Sequence, residues 1–119
     1  MRQVKQQENF DDMLVQAVEE TIKYCLGEIN AIIISDYLKK RNLPLREISS
    51  KPELFSQELR SILGFGSKQI LGAASVLEET ILEALCRKLR TNLGPERPVN
   101  FPLEVRKLKE EYNNGGSWR

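Results

Sequence analysis

An all-α fold is predicted by three features of this sequence. Apolar residues recur at three- and four-residue steps, the periodicity of one face of an α-helix. Helix-capping residues stand where that periodicity starts and stops. The longest periodic stretch, residues 67–92, carries signals at both of its ends. Together these give four main helices, one of them long and central, plus a short C-terminal helix.

Residues 1–9 are polar and aperiodic, and fraying is expected there. From Phe10, an amphipathic face runs through Leu14, Ala17, Val18, Thr21, Ile22 and Cys25. Asp11 and Asp12 suit the positive end of that helix's dipole, and Gly27 suits its left-handed stop. The next segment, Ile29 to Leu38, contains isoleucines that suit a strand, but Ile29, Ile33, Ile34, Tyr37 and Leu38 follow helical spacing. Helix is preferred. Lys39, Lys40 and Arg41 form its cationic last turn, with Asn42 at the C′ position.

Pro44 keeps the segment Leu43 to Ile48 out of helix, and Leu43, Leu45 and Ile48 make it a packed loop. Ser50 and Glu53 match a capping box, so a third helix starts at Pro52 and buries Phe55, Leu59, Ile62 and Leu63 before Gly64 ends it. The long helix follows. Ile70, Ala74, Leu77, Ile81, Ala84 and Leu85 share one face, while Leu71, Ala73, Val76, Thr80 and Leu89 widen it. Ser67 is its expected N-cap and Gly94-Pro95 its expected stop. Such a rod, roughly 36 Å long, overhangs a small domain. A homodimer built on Ile70, Ala74, Leu77 and Ile81 is therefore expected.

Three prolines between Pro95 and Pro102 divide residues 1–94, the helical domain, from residues 95–119. The second part comprises a proline-containing linker, a short amphipathic helix from Pro102 to Tyr112 bearing Phe101, Val105, Leu108 and Tyr112, and a flexible tail.

Composition narrows the function classes. The 119 residues are 40% hydrophobic and 29% charged, enough for a modest core. A net charge of +1 gives no long-range field toward nucleic acid. No apolar run reaches the twenty or so residues of a membrane span, and the N-terminal charges precede no apolar stretch, so a cytoplasmic protein is expected. Cys25 and Cys86 lie in helical patterns outside any metal-type spacing and are expected to be free, buried thiols. There is no histidine. Without the usual general base and the commonest metal ligand, no catalytic residue, metal site or cofactor is assigned.

Three candidate sites remain. In the loop after Gly64, the residues Gly66, Ser67 and Lys68 meet the positive end of the long helix, where an anion would sit; the same residues also suit a plain helix-to-helix joint. The cations Lys39, Lys40 and Arg41, with Arg87, Lys88 and Arg90, would contact phosphates if the fold brought them together. Both clusters end helices, where cations are favourable anyway. Residues 52–62 are the one loose match to a recognition helix, and Glu53 and Glu58 would face phosphates badly. Nucleic-acid binding is thus the second choice, behind dimerisation and an unknown protein partner.

The order Leu26-Gly27-Glu28, Tyr37-Leu38-Lys39-Lys40, Phe55 with Leu59, then Leu63-Gly64-Phe65-Gly66-Ser67-Lys68 leading to Leu77, Ile81 and Leu85 resembles a small archaeal helical family, the Nitrosopumilus output domain. The resemblance covers Leu14 to Gly94. It implies a signalling or interaction role by association, with no catalytic signature.

Overall fold

The computed structural model describes residues 9–64, 73–97 and 99–114. Among them all regular structure is helical: α1 Phe10–Leu26, α2 Glu28–Lys40, α3 Pro52–Gly64, α4 Ala73–Leu89 and α5 Phe101–Asn113, with a 3-10 turn at Leu45–Glu47. The expectations placed on residues 1–8, on 65–72 (Gly66, Ser67, Lys68 and Ile70 among them) and on the tail 115–119 lie outside the described residues.

Local chemistry sets the helix ends. The Asn9 side chain accepts the Asp12 N–H at 2.8 Å and so opens α1. Gly27, at φ +93°, is the whole joint between α1 and α2. Few other residues tolerate that torsion. The Asn30 side-chain amide donates to the Leu26 carbonyl at 2.7 Å, satisfying one orphan acceptor of α1 across the joint. Asn42 takes a left-handed φ of +64° after α2, and Leu43 N–H donates back to Leu38 O at 2.8 Å. That is a Schellman stop with asparagine in the expected place, sealed by the buried pair Leu38 and Leu43.

The end of α4 departs from expectation. The helix stops at Leu89 rather than near Asn92, and Arg90 itself adopts φ +61°. Thr91 N–H donates to Cys86 O at 2.9 Å and closes the same kind of motif. Gly94 has no positive φ and plays no part in the stop. Helix α3 starts at Pro52 as its sequence predicts, but Glu53 pairs with Arg106 of α5 rather than closing a box with Ser50, one of its bonds being 2.8 Å.

One core joins the five helices. Phe10, Leu14, Val18 and Ile22 of α1, Ile34 and Leu38 of α2, Phe55 and Leu59 of α3, Leu77, Ile81, Leu82 and Leu85 of α4, and Phe101 and Val105 of α5 are all buried in it. The loop residues Leu43 and Ile48 complete it, as their spacing predicts. Helix α4 packs against α1, α3 and α5. The short C-terminal helix docks on its own chain: the Phe101 and Phe55 rings lie 5.3 Å apart, and Tyr112 meets Phe10 at 5.9 Å. Arg97, in the proline-containing linker, donates to Glu79 at 2.8 Å and to the Gly94 carbonyl at 2.7 Å.

Two acidic side chains are buried, which the sequence does not announce. Glu78 of α4 is 1% exposed and is bound by α3. Arg60 donates to its two oxygens at 2.6 and 3.1 Å, and the Ser56 hydroxyl donates at 2.5 Å. The Glu78 bond raises the Arg60 guanidinium above its ordinary range.

Candidate interaction surface

Helix α2 is apolar on two sides, and only one of them is covered. Ile34 and Leu38 enter the core, with Ala31 and Tyr37 partly buried beside them. Ile29, Ile32 and Ile33, at the i, i+3 and i+4 positions of the opposite face, are 73%, 63% and 57% exposed. Tyr24, at the end of α1, is exposed as well.

The sequence folds this way because α2 leans on few neighbours. It packs on α1 and on the 3-10 turn at Leu45–Glu47. Its polar anchor lies on α3, where Tyr37 Oη donates to Glu58 Oε1 at 3.1 Å while Arg41 Nε and Nη2 each donate to Oε2 at 3.2 Å. The Glu58 bond raises the Arg41 guanidinium above its usual value. These anchors fix the roll of α2 about its axis and so hold the three isoleucines outward. Full burial of an isoleucine is worth about 1.5–3 kcal/mol, so three at this exposure leave about 3–6 kcal/mol of apolar burial unrealised. Clustered exposed apolar side chains of this kind mark interaction sites.

The isoleucines form a ridge between two hollows. One, of about 410 Å³, lies between α1 and α2 on a floor of Val18, Ile22, Ala31 and Leu45, rimmed by Glu19, Lys23, Asp36 and Lys39. The other, of about 490 Å³, is lined by Ile33, Ile34, Tyr37, Ser61 and Ile62. No model of a known protein family, no curated protein and no solved structure matches the chain. The case for this surface therefore rests on its own side chains.

The residues singled out by sequence are placed as follows. Ala74, Leu77 and Ile81, assigned to a dimer face, are buried within a single chain, because α1, α3 and α5 already enclose α4. They are not available to a second copy. Val76, counted toward the covered stripe, is exposed instead. Among the six cations, Lys40 pairs with Asp36 at 3.3 Å, Arg41 with Glu58 at 3.2 Å and Lys88 with Glu20 at 3.4 Å. Half of the phosphate-binding candidates thus face a carboxylate of their own chain, while Lys39, Arg87 and Arg90 have no such pairing among the described residues. Arg90 also leaves the helix it was assigned to. Glu58, expected on the outer face of a recognition helix, is buried.

Both thiols are free, but only Cys86 is buried. Burial pushes its pKa up to about 11, with Glu104, Glu111 and Glu83 adding to the effect. Cys25 is exposed: the buried face of α1 ends at Ile22, one turn before the chain folds back at Gly27. Among the described residues no cluster of three or more potential metal ligands occurs, and no helix is long and apolar enough to cross a membrane.

Sequence reasoning missed the outward isoleucines although their signal is present. A helix with apolar residues on opposite sides either sits wholly inside a core or meets something beyond it. Ile29, Ile32 and Ile33 opposite Ile34 and Leu38 satisfy that condition.

Proposed function

We propose that this chain is a non-catalytic protein-interaction module with a regulatory role in the cytoplasm, and that α2 is its binding surface. One observation carries the proposal: three isoleucines share a solvent-facing side of a helix whose opposite side is already fixed in the core. A non-catalytic role is supported by the lack of histidine, and a reducing compartment by two free thiols. In the same proposal the body is a four-plus-one bundle with α4 as its central rod, supported by the packing of α4 on α1, α3 and α5.

The test uses the exposed Cys25. A photoreactive maleimide attached there is four residues along the chain from Ile29, while the buried Cys86 stays unmodified. Irradiation in a cell extract is expected to give protein adducts, whether with other chains or with itself, and Ile32→Asp is expected to abolish them. Adducts that are absent, or that persist unchanged in Ile32→Asp, refute the proposal.

A further inference from the structure

Resting on that reading of α2, we infer that the occupant of the isoleucine ridge is a second copy of this chain, the two α2 helices crossing antiparallel about a twofold axis near Ile32 and Ile33. A twofold contact requires a patch complementary to itself, both in shape and in charge. The shape condition is met by a convex ridge lying beside concave apolar hollows on the same face, so that each copy's isoleucines enter the other's hollow.

The charge condition is met twice. The rim of the hollow between α1 and α2 holds two acids, Glu19 and Asp36, and two bases, Lys23 and Lys39, so a partner of strong single sign gains nothing there. Along α2, acidic Glu28 occupies the first turn and Lys39 and Lys40 the last. Parallel pairing sets Glu28 against Glu28. Antiparallel pairing sets Glu28 of each copy toward Lys39 of the other, Lys40 being paired with Asp36 of its own helix, and also opposes the helix dipoles. A net charge of +1 adds little repulsion between copies.

Sedimentation equilibrium on the full chain over a wide concentration range tests the inference. The wild type is expected to dimerise. Ile32→Asp is expected to weaken the dimer at least a hundredfold while retaining the wild-type helical circular dichroism spectrum, since the residue is exposed. Glu28→Lys, and separately Lys39→Glu, are each expected to weaken self-association about tenfold. An equimolar mixture of those two variants should form a heterodimer about as tight as the wild-type dimer, because each end then pairs opposite charges. A wild type that is monomeric throughout, a dimer indifferent to Ile32→Asp, or a mixture no tighter than its components overturns it. If the chain is monomeric yet Cys25 photoadducts join it to other proteins in an Ile32-dependent way, the self-pairing is wrong and the interaction surface stands.

Discussion

Replacing Arg60 with methionine isolates a buried carboxylate and measures what holds α3 to α4. In the native chain Glu78 is 1% exposed and its oxygens receive two guanidinium bonds and one hydroxyl bond. The methionine variant keeps most of the side chain's bulk but removes both guanidinium donors, leaving Ser56 alone. Breaking one side of such a pair costs about 3–5 kcal/mol, a large part of the ~5–15 kcal/mol that stabilises a domain of this size. At the usual unfolding entropy per residue, that lowers Tm by about 12–20 °C. Adding Glu78→Leu removes the stranded charge and should return most of the loss, since a packed apolar pair often equals a buried ion pair. Urea unfolding of the wild type, both single variants and the double variant closes the cycle, with a coupling energy of about 2–4 kcal/mol expected. A cost below about 1 kcal/mol for Arg60→Met refutes the reasoning, because it means water reaches Glu78 once the arginine is gone.

Three further outcomes are expected. Arg90→Gly should raise stability by about 0.5–1 kcal/mol, since relief of the left-handed torsion exceeds the added freedom of glycine in the unfolded chain; Gly94→Ala should change it by less than about 0.5 kcal/mol, and calorimetry that ranks them the other way contradicts the observed end of α4. Cys25 should react with a thiol reagent at pH 8 within minutes and Cys86 only on unfolding; because the folded Cys86 pKa, about 11, lies above the unfolded value, its contribution of about 2–3 kcal/mol is fully present below pH ~8.5 and fades as pH rises toward 11, which denaturant titration between pH 8 and 11 measures. Duplex DNA should not bind even at low salt, given the internal pairing of Lys40, Arg41 and Lys88; salt-dependent binding in a fluorescence titration reinstates the phosphate-binding reading.

Helix type and approximate position were legible in the sequence wherever local chemistry decides them. Gly27 and Asn42 stop α1 and α2 as their torsional tolerance predicts, and the apolar steps of α1 and α5 name buried residues apart from Cys25, which is exposed, and Tyr112, which is half-buried. The end of α4 was not legible. A glycine followed by proline is the usual stop, yet the helix ends four residues earlier because Cys86 and Thr91 form the closing bond and Arg90 accepts the left-handed torsion it requires. Buried Glu58 and Glu78 escaped for another reason. Each is held by residues 17 to 22 positions away in the chain, so no local pattern distinguishes them from solvated acids.

The candidate surface moved from α4 to α2 through the same asymmetry between local pattern and tertiary cover. Periodicity shows that a helix has an apolar stripe, but the stripe carries no mark of what covers it. In α4 the expected dimer residues Ala74, Leu77 and Ile81 are enclosed by three helices of the same chain. In α2 the bonds of Tyr37 and Arg41 to Glu58 set the helix roll, and that roll decides which isoleucines face the core. The exposed ridge is therefore coupled to a buried acid on another helix. Glu58→Gln removes the charge that strengthens all three bonds, so α2 is expected to loosen while α1 and α4 keep their core. Hydrogen exchange should then rise in residues 28–40 and leave 77–86 protected, and equal acceleration of both segments would show that the polar anchor does not set the orientation of α2.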